Sequence, residues 1–297
     1  MSIGFESAPP LPAWLESGFP FHRRVYRGKT YSLHFVDEGQ GPAVVLQHGN
    51  PTWSFLWRKV IRGLAGAGMR VVAPDLVGLG LSSKPRDPRV HTLEFHAGQI
   101  SELIAALDLH DITIVGQDWG GPILGLLAAR HPGLVAGAVF ANTSLHAPRR
   151  AGALSWFHRL AATPVVGDLA FRVVGFPLPF LDRVQGDRRS IGPAEKRAYR
   201  YPLRAFRDRV APLALARMVP QSLDHPSVPA LREVEAWAAA FQGPVRLVWG
   251  KKDPILGRGL ILMRRLFRAA PVVETEAGHF LQEEVPDALT AAITSLR

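Results

Sequence analysis

The segment around residue 118 constrains the fold more than any other part of the chain. A short apolar run at residues 112–115, rich in β-branched side chains, leads directly into Gly116-Gln117-Asp118-Trp119-Gly120-Gly121. A helix-like run of small and apolar residues follows at 122–130. The glycines permit a sharp turn and close packing of the strand against the helix. This is the context of a nucleophile elbow, Gly-x-Ser-x-Gly, with Asp118 in place of the usual serine.

A carboxylate at the elbow predicts a particular chemistry. Asp118 is ionised at neutral pH, because the reference pKa of an aspartate is about 3.9, and it needs no base before it attacks. It suits displacement at a saturated carbon, which forms an alkyl ester with the carboxylate. The alternative is that Asp118 only caps the helix that follows it.

The rest of the chain alternates between short strand-like and longer helix-like segments. Strands are predicted from Tyr31, Ala43, Arg70, Ile112, Ala136, Val245 and Pro271. Helices are predicted over residues 53–66, 91–107, 122–130, 228–241 and 260–267, where apolar residues recur with a period near 3.6. Such alternation predicts βαβ units and a mostly parallel sheet.

The alternation stops near residue 145 and resumes near residue 245. The intervening residues are rich in Arg, Pro and aromatic side chains and contain no convincing strand. We interpret residues 145–227 as a mainly helical insertion between two parts of one core, residues 1–144 and 228–297. Insertions at the carboxyl ends of strands lie where open α/β sheets bind ligands.

The basic excess belongs to this insertion. The chain has a formal charge of +10, and residues 149–217 alone hold 14 Lys or Arg against 5 Asp or Glu. Such an excess suggests a polyanionic partner, but no nucleic-acid motif is present and acidic residues are interspersed. We therefore expect no nucleic-acid partner. Self-association through the basic insertion and contact with an anionic membrane are the two alternatives that the charge leaves open.

Other sequence features exclude several classes of protein. The chain has no Cys, which excludes disulfides, thiolate metal sites and a cysteine nucleophile. Residues 1–20 lack the basic and apolar regions of a secretory signal. The longest apolar-looking stretch, residues 161–181, contains Asp168, Arg172 and three prolines, which argues against a membrane span. A cytoplasmic location without cofactor or metal is the expectation.

Three further stretches follow predicted strands and supply candidate partners for Asp118. Residues 47–53, Gln-His-Gly-Asn-Pro-Thr-Trp, would bring backbone N–H groups beside the elbow, and Asn50 adds a side-chain amide. Asn-Pro is also an ordinary turn sequence. Asp253 follows the strand from Val245, and His279 follows the last strand. The chain order of nucleophile, acid and histidine is that of elbow-based triads.

Together these residues resemble the haloalkane dehalogenases of the α/β-hydrolase superfamily. The resemblance covers nearly the whole chain and is carried by HGNPTWSFLWRKVI, RVVAPDLVGLGLSSKP, DITIVGQDWGG, ANTSL, WGKKDPILG and AGHFLQEE. It implies an α/β-hydrolase fold with a mostly parallel eight-stranded sheet, flanked by helices. It also implies a helical cap inserted after the strand that ends near Asn142.

The resemblance also implies a role for each site residue. Asp118 attacks the halogen-bearing carbon, and His279, oriented by Asp253, activates the water that hydrolyses the ester. The backbone N–H groups of Asn50 and Trp119 form the oxyanion hole. Their side chains, an amide and an indole N–H, bind the departing halide. A small halogenated alkane, water and a halide ion such as chloride or bromide are thus the expected partners.

Two positions distinguish this sequence within the family. Some members place the triad acid, as Glu, after the strand that follows the elbow, but the matching residue here is Asn142, so Asp253 is the expected acid. Other members use a Trp in the cap as the second halide ligand. Trp156 is the candidate for that role here, and packing within the cap core is the alternative that we favour for it.

Three alternative functions differ in what they require. An epoxide hydrolase would use the same Asp and His but needs cap tyrosines, and Tyr199 and Tyr201 are spaced so that they face different sides of a helix. A fluoroacetate dehalogenase should carry arginines beside the nucleophile, where Trp119 and Gly120 stand. A non-catalytic binding protein would be expected to lack one of the three triad residues.

Overall fold

The computed structural model describes residues 4–150 and 155–296. Its strands form one sheet in the order β1-β2-β3-β5-β4-β6-β7-β8-β9. Their bounds are β1 (Gly4–Ser7), β2 (Arg23–Arg27), β3 (Ser32–Glu38), β4 (Ala43–Gln47), β5 (Arg70–Pro74), β6 (Ile112–Gln117), β7 (Val135–Ala141), β8 (Val245–Gly250) and β9 (Val272–Thr275). The pairings along β5-β4-β6-β7-β8-β9 are parallel. The pairings of β1 with β2, of β2 with β3 and of β3 with β5 are antiparallel.

The sheet of the described residues has nine strands, whereas the resemblance led us to expect eight. Neither β1 nor β2 was predicted from the sequence. For β2 the reason is that it contains three arginines in five residues and shows no apolar run. Its side chains are stabilised by tertiary contacts instead. Arg24 lies over the rings of Phe5 and Phe35 and forms an ion pair with Asp37.

The five helices predicted for the core lie close to their predicted positions, whereas the helices Ala13–Glu16, Leu281–Glu284 and Pro286–Thr294 were not predicted. The α-helices of the described residues are α1 (Ala13–Glu16), α2 (Arg58–Gly66), α3 (Leu93–Ala106), α4 (Gly120–Arg130), α5 (Trp156–Ala162), α6 (Val166–Asp168), α7 (Pro193–Arg200), α8 (Val210–Arg217), α9 (Val228–Ala240), α10 (Leu260–Leu266), α11 (Leu281–Glu284) and α12 (Pro286–Thr294). The predicted helix over 53–66 begins instead as a 3₁₀ turn, Ser54–Trp57, that continues into α2. Other 3₁₀ turns are Pro88–Val90, Leu178–Val184, Arg188–Ser190, Tyr201–Leu203, Phe206–Asp208 and Gly257–Gly259, and Leu169–Val174 is a π-helical turn.

The central strands β4 and β6 are buried along their whole lengths. They read as continuous apolar runs, as expected for strands of a parallel sheet that is covered on both faces. Helix α4 packs against α3 and α9, and α2 packs against α12. The carboxyl ends of β4, β6, β7, β8 and β9 lie along one edge of the sheet, so the loops after these strands converge there.

Between β7 and α9, the described residues form helical turns and no strand. This insertion has its own small apolar cluster, in which Ala161, Phe171, Leu213 and Ala216 are buried. The main core belongs to the sheet and its flanking helices. Across residues 4–150 and 155–296, no helix is both long and apolar enough to span a bilayer.

Candidate active site

The turn between β6 and α4 places Asp118 in a backbone conformation that few side chains adopt. Its φ is +52°, in the left-handed region. The Asp118 N–H donates to the Asn142 carbonyl at 3.1 Å, and its own carbonyl accepts from the Thr143 hydroxyl at 2.6 Å. A Cβ at Gly116 would collide with the Gly121 backbone, so the glycines permit the close strand-to-helix contact.

The Asp118 carboxylate lies between the loop after β4 and the loop after β9. Its Oδ1 accepts a hydrogen bond from the Asn50 backbone N–H at 2.8 Å, and its Oδ2 lies 3.8 Å from His279 Nε2. Burial raises the pKa of Asp118 above its ordinary value, against the lowering effects of His279 and of the backbone N–H groups of Trp119 and Asn50. The carboxylate therefore has little contact with water, but one of its oxygens accepts a backbone hydrogen bond.

Gly49 explains why the loop after β4 can reach this carboxylate. A side chain there would overlap the Asp118 carboxyl group, so only glycine allows the Asn50 N–H to approach within hydrogen-bonding distance. The sequence His48-Gly49-Asn50-Pro51 is thus fitted to the elbow through backbone contact.

His279 and Asp253 form a buried pair beside Asp118. His279 Nδ1 and Asp253 Oδ2 are 2.9 Å apart. Burial alone lowers the pKa of His279, but the charge and hydrogen bond of Asp253, with the charge of Asp118, raise it above its ordinary value. Burial opposes ionisation of Asp253, yet His279 and the N–H groups of Ile255 and Leu256 keep its pKa below the usual range. The pair is arranged to stabilise an imidazolium ion.

From the sequence, Asn142 was identified only as a residue that cannot be the triad acid, and its contacts were not predicted. Asn142 Nδ2 donates to Asp253 Oδ2 at 2.7 Å, and its Oδ1 accepts from the Gly250 N–H at 2.8 Å. The same nitrogen also lies within 3.3 Å of the Gly250 and Gly278 carbonyls. Asn142 therefore links the loops that carry Asp253 and His279. Its position after a strand of the parallel sheet was the available signal.

Gln117 is a second side chain that the sequence did not single out. Its Nε2 donates to the His279 carbonyl at 3.1 Å and lies 3.2 Å from His279 Nε2. As the last residue of β6 it is wholly buried next to the nucleophile.

The side chains of Asn50 and Trp119 face the same cavity as Asp118. One N–H of Asn50 Nδ2 is used by the Pro212 carbonyl of α8, at 2.9 Å, which leaves the second hydrogen of that nitrogen available. The Trp119 ring nitrogen has no hydrogen-bond partner among residues 4–150 and 155–296. Both groups are neutral N–H donors with unused capacity.

The cavity has a volume of about 280 Å³ and is mostly apolar. Four of the five predicted site residues, all but Asp253, lie in its wall. The wall also includes Phe157, Phe176, Phe180, Leu181, Val184, Ile255 and Phe280. A second cavity of about 560 Å³ also reaches Asp118 and Trp119 and shares His158 and Ile255 with the first. Within the described residues, no group of three or more His, Asp or Glu side chains could hold a metal ion.

Trp156 lines the cavity, but its side chain is 64% exposed. It contacts the rings of Phe157 and Phe176 and lies outside the buried cluster of the insertion. The expectation that Trp156 packs within the cap core is therefore wrong, because the short helix α5 presents it at the surface.

All four tyrosines of the chain lie away from both cavities. The Tyr199 hydroxyl donates to Glu283 Oε1 at 2.6 Å and is buried there, while Tyr201 packs against Trp14. Among the described residues, no tyrosine hydroxyl of the kind that an epoxide hydrolase requires in its cap lines either cavity.

Comparison with known proteins agrees with the geometry. The sequence model of the alpha/beta hydrolase fold family matches residues 42–286. "Haloalkane dehalogenase 2" of Mycobacterium tuberculosis (strain ATCC 25618 / H37Rv) is 35% identical, over 99% of this chain and 98% of the relative. The chain belongs to the haloalkane dehalogenase family. The predicted fold and family are thus confirmed.

Solved structures of haloalkane dehalogenases superpose on the chain. DatA from Agrobacterium tumefaciens C58 matches with a TM-score of 0.81 and 28% identity, over 93% of this chain and 97% of its own. DpaA from Paraglaciecola agarilytica NO2, described as tetrameric, matches with a TM-score of 0.81 and 26% identity, over 99% of both chains. As a member of this haloalkane dehalogenase family, the chain is a hydrolase that acts on carbon–halogen bonds.

Proposed function

We propose that the chain hydrolyses small, neutral haloalkanes through an ester on Asp118, with His279 as the general base and Asp253 as its partner. The observation that carries the proposal is the placement of Asp118 Oδ2, 3.8 Å from His279 Nε2 and at the wall of a mostly apolar cavity. Asp118 Oδ2 attacks the halogen-bearing carbon. A C–O bond forms, the C–halogen bond breaks, and the halide leaves with the bonding electron pair.

The second step hydrolyses the ester. His279 Nε2 takes a proton from water, and the resulting hydroxide adds to the Asp118 carbonyl carbon. The negative charge then lies on the oxygen near the backbone N–H groups of Asn50 and Trp119, where Asn50 N already contacts Oδ1 at 2.8 Å. Breakdown releases the alcohol and restores the carboxylate, with one proton released to solvent. Asp253 stabilises the transient imidazolium.

The Trp119 indole N–H and the remaining N–H of Asn50 are proposed to bind the departing halide. Neutral donors in a mostly apolar pocket stabilise a large, weakly hydrated anion as it forms, without the strong attraction of a fixed positive charge. Trp119→Phe keeps the ring but removes the N–H. It should slow halide release and weaken inhibition by added bromide, whereas Trp237→Phe, at a residue that lines neither cavity, should change neither.

The first test is halide release from 1,2-dibromoethane or 1-iodobutane. We expect steady release by the natural chain and none above background for Asp118→Ala. Asp108→Ala, at an exposed position, serves as the matched control. Absence of halide release together with rapid diol formation from styrene oxide would overturn the proposal in favour of an epoxide hydrolase.

A single turnover in ¹⁸O-labelled water tests the ester intermediate. Because water attacks the carbonyl carbon, the label should enter the Asp118 carboxylate, and the alcohol should carry an unlabelled oxygen from Asp118. Label in the alcohol after one turnover would show direct attack of water on the substrate.

We also propose that residues 145–227 act as a cap over the cavity and that the chain self-associates through this basic segment. Support comes from exposed apolar side chains between Trp156 and Val174 and from the tetrameric relative DpaA. Because like charges repel, association should strengthen with added salt. Light scattering that gives a monomer at all salt concentrations would contradict this. A cytoplasmic location stays a prediction, which cell fractionation tests.

A further inference from the structure

The chain on both sides of His279 is held by two side chains that the proposed mechanism does not use. One is Gln185, which belongs to the insertion, and the other is Glu284, at the end of α11. Three consecutive backbone N–H groups, those of Gly278, His279 and Phe280, donate to Glu284 Oε1, the Val184 carbonyl and Gln185 Oε1. The backbone position of the histidine is therefore set from outside the triad.

Gln185 is bonded to Phe280 through both ends of its amide. Its Oε1 accepts from the Phe280 N–H at 2.9 Å, and its Nε2 donates to the Phe280 carbonyl at 3.1 Å. Nε2 also lies 3.1 Å from the Ser190 hydroxyl. The side chain is buried, so these bonds do not compete with bulk water.

Glu284 links the backbone before His279 to the insertion. Its Oε1 accepts from the N–H groups of Gly278 at 2.9 Å and Gly186 at 3.0 Å, and its Oε2 accepts from Asp187 N–H at 2.8 Å. A carboxylate that accepts three backbone N–H groups forms charge-assisted hydrogen bonds, which are stronger than neutral ones.

The backbone at Gly278 packs directly against the backbone of residues 184–185, with no room for a side chain at Gly278. A Cβ at Gly278 would collide with the Val184 carbonyl and the Gln185 backbone. Val184 also lines the cavity, and the hydrogen bond from the His279 N–H to its carbonyl is 2.8 Å long. The same short segment of the insertion therefore contacts both the substrate pocket and the backbone of the histidine.

We propose that Gln185 and Glu284 are positioning residues that hold His279 in the orientation required to activate water. The inference rests on the proposed function of His279. Asp253 fixes the imidazole ring at Nδ1, but the direction in which Nε2 points also depends on where the backbone stands. Small displacements of a catalytic group reduce rates strongly, by as much as about a hundredfold for 1 Å.

This role predicts an effect on one chemical step only. Formation of the ester requires Asp118 and the halide donors, and the hydrogen bonds of the Gln185 and Glu284 side chains go to other residues. Hydrolysis of the ester requires His279. Loss of either positioning residue should therefore leave a rapid burst of one halide per site, followed by slow turnover while the alkylated enzyme accumulates.

The experiment is rapid-quench measurement of halide release and intact-protein mass on Gln185→Ala, Glu284→Gln and Glu284→Ala. We expect the halide burst to stay within about twofold of the natural chain, and ester hydrolysis to slow by about ten- to a hundredfold. Glu284→Gln retains one acceptor oxygen and should lose less than Glu284→Ala. Gln242→Ala and Glu274→Gln, both at exposed positions, are the matched controls and should match the natural chain.

The burst amplitude counts folded sites, so partial unfolding of a variant does not disturb the ratio of the two rates. Equal slowing of both steps, or unchanged kinetics in all three variants, would overturn the positioning role. His279→Phe separates the two proposals. If that variant accumulates no alkylated enzyme, the proposed function fails. If it does, and all three Gln185 and Glu284 variants turn over normally, only this inference fails.

Discussion

The carboxyl edge of the sheet and the first part of the insertion meet at one cavity but are built differently. At the sheet edge, Asp118 and Asp253 are each held by backbone N–H groups, and His279 is held by its partner carboxylate. In residues 156–174 of the insertion, large apolar side chains are 49–78% exposed: Trp156, Val165, Val166, Leu169, Val173 and Val174. Their helices are short and end in irregular turns.

In the proposed function, this difference corresponds to two tasks, the chemical reaction and the entry of substrate. Transition-state stabilisation requires groups fixed before the reaction, which a buried parallel sheet supplies. Substrate entry requires a surface that can vary, and loops or short helices over a rigid scaffold are the usual solution. Residues 184–187 are the exception, because they belong to the insertion in sequence and to the histidine loop in their contacts.

The largest effect is expected at the sheet edge, with His279→Phe. This change removes the base but leaves the nucleophile, so turnover should fall by more than about a thousandfold. A burst of one halide per site and a stable mass increase of one alkyl group on the protein should remain. A variant that still turned over at a tenth of the natural rate would show that another group serves as the base.

The pair Asp253 and Asn142 should show graded losses. Asp253→Asn removes the charge that stabilises the imidazolium and should slow ester hydrolysis by about a hundred- to a thousandfold. Because the sequence assigns Asn142 no role in the triad, Asn142→Ala would be expected on that ground alone to be mild. Its bonds to Asp253 and Gly250 now lead us to expect about a tenfold loss. A larger loss for Asn142→Ala than for Asp253→Asn would reverse the assignment of the acid.

The pH dependence of the two steps should differ. Only neutral His279 can accept the proton from water, and its pKa is raised, so turnover should fall as the pH drops through a midpoint above about 6.5. The halide burst needs only ionised Asp118. Burial raises the pKa of this carboxyl, but from a reference value of about 3.9, well below the histidine value of about 6.5, so the burst should persist below that midpoint. Asp253→Asn should shift the acidic limit of the residual turnover to lower pH. A burst lost together with turnover would argue against separate roles.

Stability should also distinguish the two regions. Leu46 in β4 is wholly buried in the main core, and Leu213 belongs to the small cluster of the insertion. Leu46→Ala should lower the free energy of unfolding by about 4 kcal/mol and Leu213→Ala by about 2 kcal/mol, because the smaller cluster can collapse more easily. Urea unfolding measures both. Equal losses would mean that the insertion is packed as firmly as the sheet.

The smallest effect should come from the exposed part of the insertion. Trp156→Ala should change kcat/KM by only a few-fold between short and long haloalkanes and leave the halide burst intact, because the ring is mostly solvent-exposed. Phe157→Ala, which also lines the cavity, is the comparison. A hundredfold loss of halide release for Trp156→Ala would restore Trp156 as a halide ligand.

The sequence by itself determined the elbow and seven of the nine strands of the described residues, β3 to β9, and it predicted the five candidate site residues. Asp118 is recognisable because a β-branched strand, paired glycines and a small-residue helix are consecutive in the chain. Asn50, Asp253 and His279 each follow a predicted strand, and the carboxyl ends of parallel strands meet at one edge. The local sequence pattern was enough wherever a single strand or helix specified where a residue lies.

Only the tertiary structure decided which distant side chains support that site. Asn142 bonds to Asp253, which is 111 residues away, and Gln185 bonds to Phe280, 95 residues away. Strand β2 was missed for the same reason, because Arg24 is stabilised by Phe5, Phe35 and Asp37 from other strands. Such contacts leave no periodic signal in the sequence, since the hydrogen bonds and ring contacts that form them exist only once the chain has folded.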